Sequence, residues 1–311
     1  MTARAHPESV LRVDEPLARY TSWRVGGPAR RYFRPADLAD LQAFLPTLPA
    51  AEPLLWIGLG SNLLIRDGGF PGTVINTHPG LADLLWQGEL LRVEAGVAGA
   101  KAARFAARHD RVGIEFLAGI PGTLGGALAM NAGAWGGETW EWVVAVETLD
   151  RRGKLRIRPA SDFQVGYRQV LGPVEEWFVA AHLRLPDGDG RESLARIRRL
   201  LEQRSRTQPT GVATCGSVFR NPPGDHAARL IEQTGLKNLR IGGACVSVKH
   251  ANFIVNTGGA SAADLEHLME RVAAVVAEAR GIRLKREVVV VGDTGSQPPA
   301  PLVGSERGVS V

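Results

Sequence analysis

The sequence predicts an α+β protein: two strand-rich lobes, each carrying glycine turns, followed by a smaller α+β lobe. Three observations predict it. Short apolar strand segments bounded by glycine, proline and polar residues recur from Arg30 to Leu185. Two of the connections, GLGSN at 58–62 and GIPGTLGG at 119–126, are glycine-rich. Near the end, Leu265, Leu268, Met269, Val272, Val275, Val276 and Ala279 keep a 3.6-residue period, which marks one amphipathic helix.

The chain has 311 residues, 44% hydrophobic and 22% charged, as expected for a globular protein of two or three subdomains. No apolar run reaches the roughly 18–20 residues that a bilayer requires, so no membrane partner is expected. The N-terminus MTARAHPESVLRVDEP lacks the apolar core of a secretory signal. Cys215 and Cys245 make neither a disulfide framework nor a metal spacing, so the reading is cytoplasmic, with no metal. A net charge of +5 favours anionic partners. The basic residues are scattered, however. The densest group, Arg191, Arg196, Arg198, Arg199, Arg204 and Arg206, reads as a solvated helix face, and nothing suggests a nucleic-acid platform.

Residues 1–18 read as a loose arm. TSWRVGGPA at 21–29 leads into a strand at 30–34, and Asp37 caps a helix through Leu48. Leu54–Ile57 is a short strand that runs into Gly58, Leu59, Gly60, Ser61 and Asn62, followed by strands at 63–66 and 73–76. Strand, glycine turn, Ser-Asn, strand fits two structures: backbone amides that bind phosphate, or a hairpin whose turn needs positive φ. Leu90–Glu94 is a strand and 100–109 an alanine-rich helix. In the central stretch, Gly119, Gly122, Gly125 and Gly126 fall close together, and Pro121 fixes one φ. A short helix of small residues follows from Thr123 to Met130. A glycine-rich loop running into a helix start presents N–H groups to an anion such as a diphosphate; the other reading is a tightly packed turn. The spacing is neither G-x-G-x-x-G nor G-x-x-x-x-G-K-[ST], which excludes Rossmann and P-loop sites.

Strands are expected at 143–149, 155–158 and 177–185, with Gly166, Tyr167 and Arg168 carried by the stretch 163–168, and a helix at 191–206. Thr207–Thr214 reads as a hinge. Beyond it come CGSVFRNP at 215–222, a short helix at 225–233, and strands at 242–248 and 252–256 around Lys249 and His250. Ser261 and Asp264 make a capping box for the long helix. The last strand, 283–291, sets Glu287 among valines.

Seven segments in the same order then resemble one family: TSWRVGGPA, GLGSNLLIRDGG, EFLAGIPGTLGGALAMNAGA, GYR, GSVFRNP, HANFIVN and the terminal EV. From Tyr20 to Gly292 the chain resembles the UDP-N-acetylenolpyruvoylglucosamine reductases, in their shorter second type. The resemblance implies a two-lobed FAD-binding fold of the vanillyl-alcohol-oxidase (PCMH) type plus a smaller α+β substrate-binding domain. It implies FAD-binding subdomains at 19–80 and 81–206 and a substrate-binding domain at 207–293, between the arm at 1–18 and a tail at 294–311 that its Gly, Pro and Ser content predicts to be disordered. Non-covalent FAD is expected, held by Gly58, Leu59, Gly60, Ser61 and Asn62, and by Gly119, Ile120, Pro121, Gly122, Thr123, Gly125, Gly126, Asn131, Ala132 and Gly133.

The family passes hydride from NADPH, through FAD, to the methylene of UDP-N-acetylglucosamine enolpyruvate. This leaves carbanion character beside the carboxylate, which must be stabilised and protonated to give UDP-N-acetylmuramate for peptidoglycan. By motif, Arg168 matches the arginine that grips the substrate carboxylate, for which a planar fork is suited. Ser217 matches the proton donor and Glu287 the partner acid, expected to be protonated when substrate binds. Tyr167, Asn221 and His250 match substrate-binding positions. Lys237 and Arg240 stand either against the UDP diphosphate or on a solvated face. Cys215 lacks a base partner and is not read as a nucleophile. The chain departs from the family pattern at Val170, Cys215 and Lys285. The competing readings are an FAD-dependent oxidase on the same scaffold and a non-catalytic flavin- or nucleotide-binding module. The joint presence of Arg168, Ser217 and Glu287 argues against both.

Overall fold

A computed structural model describes residues 8–295 and the backbone of Leu302–Val303. Its α-helices are α1 (Leu38–Phe44), α2 (Gly99–Ala107), α3 (Leu124–Met130), α4 (Gly190–Thr207), α5 (Ala227–Gln233) and α6 (Ala262–Arg280). The chain divides into two compact units. The first comprises the described residues of Met1–Glu15, Arg30–Leu59 and Gly72–Arg204. The second comprises those of Pro16–Ala29, Gly60–Pro71 and Ser205–Val311.

The first unit holds two larger sheets and two small two-stranded ones. In one, the strands run in the order Val10–Pro16, Pro28–Arg34, Phe70–Asn76, Leu54–Ile57, and the last two are parallel, with Leu54 opposite Thr73. Residues 10–16 therefore form an edge strand where the sequence reading expects a loose arm. Only Glu15 of this segment is buried, so it gains ladder bonds rather than a core. The Asp37 carboxylate caps α1 at the Asp40 amide, as expected, but the α-helix stops at Phe44 and continues as a 3₁₀ turn over Leu45–Thr47. Pro46 has no N–H with which to continue the α-helical ladder. Phe33, Leu41, Leu45, Ile75, Leu81, Leu149 and Val179 bury one another beside α1.

The other sheet is antiparallel, in the order Leu155–Pro159, Val143–Asp150, Glu176–Arg184, Leu90–Glu94, Leu84–Gln87. Leu91, Val93, Val146, Ala181 and Leu183 form one core cluster with Ala102 and Ala106 of α2 and with Leu124 and Leu128 of α3. α2 also buries Ala103 and Ala107 in a second cluster with Ile197 of α4. Alanine suits a helix covered on two sides, because its methyl group lets backbones approach closely without loss of side-chain entropy.

In the second unit, α6 packs on a short antiparallel sheet of Ile254–Asn256, Ala244–Val246 and Arg240–Ile241, to which Leu302–Val303 adds. The tail expected to be disordered thus contributes two backbone residues to a strand; its other residues beyond 295 lie outside the described part. Leu265, Leu268, Met269, Val272 and Val276 are buried as the periodicity predicts, whereas Ala279, near the helix end, is exposed. Ser261 and Asp264 form the expected capping box, and Gly281 closes the helix in the left-handed region at φ 68°. Asp67 adds a second cap, accepting the Ala262 and Ala263 amides at 2.9 Å each. The early segment TSWRVGG joins this unit: Trp23 is fully buried in the α6 core, and its indole N–H donates to Ile254 O at 2.8 Å.

Leu63–Ile65 pairs in parallel with Val289–Val291, and Leu54–Ile57 pairs with Phe70–Asn76. The strands flanking Gly58–Asn62 therefore have different partners, so the hairpin alternative for that turn does not hold. Glu266 on α6 accepts two hydrogen bonds from Arg66, at 2.8 and 2.9 Å, and one from Arg286 at 3.1 Å. The Arg66 hydrogen bonds hold its carboxyl below the ordinary 4.5, against partial burial, with Arg286 acting in the same direction. A depressed folded-state value contributes stability above the unfolded value that is lost as pH falls through the folded one. Glu266→Gln should therefore lower Tm most above the ordinary 4.5, and the gap from wild type should narrow as pH falls below it. A pH-independent gap in thermal melts would remove the charge of Glu266 from the account.

Candidate active site

Two glycine segments that are separate in sequence meet in the first unit. A Cβ placed on Gly58 would lie 2.2 Å from the Thr123 hydroxyl, so only glycine lets the chain pass there. α3 begins at the next residue, Leu124. Its first two amides do not face an anion: Leu124 N–H donates to Val97 O at 2.8 Å and Gly125 N–H to Ala95 O at 2.9 Å. At these two positions the expected free helix start is corrected, because the amides lock α3 onto residues 95–97. Open main chain lies beside them. Gly126 and Pro121 are exposed, and a Cβ on Gly126 would meet nothing within 4 Å. Between Gly119 and Gly133 no side chain is charged. A diphosphate here would meet bare backbone, and the residues fit FAD on that ground.

The remaining cofactor candidates divide between exposed and engaged groups. Leu59 is exposed; Gly60, Ser61 and Asn62 belong to the second unit. Gly119 packs against the Trp135 ring, Ile120 N–H donates to Leu117 O, and Gly122 O accepts the Gly99 amide. Ala132 O accepts both the amide and the hydroxyl of Thr139. Asn131 is 1% exposed, and its carboxamide bonds only within the first unit, to Glu138, Gly166 O and Trp140 N–H.

Arg168 lies in a two-residue turn. Gln164–Gly166 pairs antiparallel with Gln169–Leu171, leaving Tyr167 and Arg168 between them. The first strand of the pair ends at Gly166, and Arg168 takes φ +54°, outside the extended region. For a non-glycine residue that conformation costs about 1–2 kcal/mol, which the surroundings must offset. Its guanidinium donates to Asn131 O at 3.1 Å and Gly133 O at 2.5 Å, and lies 5.0 Å from the Tyr167 ring centroid. Gly133 has no room for a side chain: a Cβ would stand 2.7 Å from Gly137 O and 3.3 Å from the Arg168 guanidinium. Tyr167, 47% exposed, covers the cation from the solvent side.

In the second unit, Ser217 and Glu287 are brought together by backbone pairing. Phe219 bridges Arg286, Arg220 N–H donates to Lys285 O at 2.9 Å, and Glu287 N–H donates to Val218 O at 2.8 Å. Asn62 joins them, its amide donating to Glu287 O at 3.2 Å while its own carbonyl accepts the Val289 amide. The last strand is shorter than expected, Val289–Val291. Residues 285–287 pair instead with 218–220, and the chain switches partners at Val288. Arg286 donates to Glu266 Oε1 at 3.1 Å. Cys215 is fully buried; burial pushes its thiol well above the ordinary range and the nearby Glu287 charge adds to this, consistent with an inert thiol.

Asn221 is exposed and its Oδ1 accepts the first amide of α5, Ala227 N–H, at 3.1 Å, so a capping role is visible for it. His250 keeps a buried Nδ1 without a hydrogen-bond partner and meets the Phe253 ring edge-on at 4.6 Å. Burial holds its pKa below the ordinary 6.5, and Lys237 acts in the same direction, so the ring is neutral near pH 7. Lys237 pairs with Glu232 at 2.5 Å, and Arg240 is exposed, 3.5 Å from the Thr257 hydroxyl. The sequence reading gives no role to Glu138, Glu266 or Asp67. Each is a lone acidic residue whose partner lies on another element, and only Asp67 falls inside a quoted motif.

Comparisons with known proteins find relatives along most of the chain. Residues 29–157 match a family of FAD binding domains, and residues 208–291 match the C-terminal domain of UDP-N-acetylenolpyruvoylglucosamine reductase. The UDP-N-acetylenolpyruvoylglucosamine reductase of Alkalilimnicola ehrlichii is 62% identical over 92% of this chain and 96% of its own length. That of Legionella pneumophila is 56% identical over 93% and 95%. The crystal structure of UDP-N-acetylenolpyruvylglucosamine reductase from Thermus caldophilus superposes with a TM-score of 0.78 at 33% identity, covering 91% of this chain and 98% of that one. The α+β architecture, with an FAD-binding domain of the vanillyl-alcohol-oxidase type and a distinct C-terminal domain, follows from these matches. The chain belongs to the UDP-N-acetylenolpyruvoylglucosamine reductase family of FAD-dependent oxidoreductases.

Proposed function

We propose that this chain catalyses the NADPH-dependent reduction of UDP-N-acetylglucosamine enolpyruvate to UDP-N-acetylmuramate in the cytoplasm, for peptidoglycan synthesis. Bound FAD would supply the hydride chemistry, accepting hydride from NADPH and passing it to the enolpyruvyl methylene carbon. The protein's own residues handle charge and proton. Arg168, aimed by the carbonyls of Asn131 and Gly133, holds the substrate carboxylate and the negative charge that builds beside it. Ser217 gives a proton to the carbon next to that carboxylate. Glu287 stands beside it as the partner acid, protonated when the substrate carboxylate is present, since two like charges would repel. His250, neutral and with an unpartnered ring nitrogen, lines the substrate. The observation that carries the reading is the Glu287 N–H to Val218 O bond, which sets a serine and a carboxylic acid 70 positions apart on adjoining backbone.

An anaerobic absorbance trace tests the assignment. NADPH should bleach the flavin band, and UDP-N-acetylglucosamine enolpyruvate should restore it; a flavin that stays reduced until air enters would sink the substrate. Ser217→Ala should leave bleaching by NADPH intact but slow reoxidation by about 10³-fold. Equal reoxidation rates would take Ser217 out of the chemistry. Arg168→Lys should slow the same step about 100-fold, because a point charge does not reproduce the planar fork. Near-normal turnover would mean that charge alone suffices.

A further inference from the structure

We infer that Asn131 is the positioning residue for Arg168, acting through that arginine rather than through the cofactor. The inference rests on the assignment of Arg168 to the substrate carboxylate. Asn131 ends α3 in the left-handed region, at φ 41° and ψ 57°. That reversal turns two carbonyls, its own and that of Gly133, towards one guanidinium. Asparagine is among the few residues with a side chain that adopt this conformation readily.

The side chain of Asn131 holds the backbone that leads into the same turn. Its amide nitrogen donates to Gly166 O at 3.2 Å, the residue just before the Tyr167–Arg168 turn. It also donates to Glu138 Oε2 at 2.9 Å, and its oxygen accepts the Trp140 amide at 3.2 Å. These three bonds fix which end of the carboxamide is which. One buried residue thus holds both the backbone of the turn and the head group of Arg168. Arg168 sits at φ +54° and needs such support to keep that conformation. The buried carboxamide has its donors and acceptor directed at the first unit's own groups, which is the arrangement of a support rather than of a cofactor contact.

Two variants separate these roles. Asn131→Gly keeps the left-handed backbone and loses the carboxamide. Asn131→Asp keeps size and conformation but cannot donate to Gly166 O, and it faces Glu138. Each is made in the holoenzyme and again in the Arg168→Lys background, and the two half-reactions are followed separately by stopped-flow. Flavin content and reduction by NADPH should stay within about threefold of wild type. Reoxidation by UDP-N-acetylglucosamine enolpyruvate should slow by roughly 10–100-fold, since small displacements of an aligned group have effects of that order. In the Arg168→Lys background the same substitutions should slow it further by less than about threefold, because residues acting as one unit are not additive. Equal loss in both half-reactions, with weakened flavin binding, would assign Asn131 to the cofactor and overturn the inference. Full multiplicative loss in the Arg168→Lys background would overturn it too. If Arg168→Lys alone reoxidises normally, the assignment of Arg168 fails instead.

Discussion

The buried indole of Trp23, hydrogen-bonded to Ile254 across 231 positions, is the interaction on which the second unit depends. It places a segment from the start of the chain inside the core that α6 closes. Filling that space with anything smaller leaves a cavity worth about 3–5 kcal/mol. With residues 16–29 and 60–71 part of this unit, Leu63–Ile65 lies against Val289–Val291 and Asn62 reaches the backbone of Glu287. The surroundings of Glu287 are therefore built from three stretches that are far apart in sequence.

Charge is handled differently around each catalytic candidate. In the second unit, Glu266 accepts hydrogen bonds from both Arg66 and Arg286. In the first unit, two backbone carbonyls accept from the guanidinium of Arg168. Left-handed backbone at Asn131 and Arg168 gives this geometry at a conformational cost that the buried bonds around Asn131 offset.

The two glycine segments show how far local reading reaches. Their composition marks bare backbone, and the structure brings Gly58 against Thr123 as that reading needs. Composition does not reveal which amides stay available. α3 looks like an anion-binding helix start in sequence, yet Leu124 and Gly125 donate to Val97 and Ala95. A glycine can serve close packing as readily as ligand approach, and only the neighbour decides. The same limit applies to Asn131 and Asn221. Motif position marks them as cofactor and substrate residues, but their side chains bond a turn and a helix start.

By itself, the sequence determined what depends on residues close together along the chain: the capping box and apolar period of α6, the Asp37 cap of α1, the glycine-dense turns, and ordered motifs specific enough to name a family. These are short-range matters of rotamer, cap and periodicity. Tertiary structure alone decided the partners. Nothing local in Leu63–Ile65 names Val289–Val291 as its neighbour, nor does anything in residues 10–16 reveal an edge strand. The pairing of Glu266 with Arg66 and the grip of Asn131 on Arg168 are of the same kind. Strand pairing and buried polar contacts are chosen by the shape and unsatisfied groups of distant segments, and those exist only once the chain has folded.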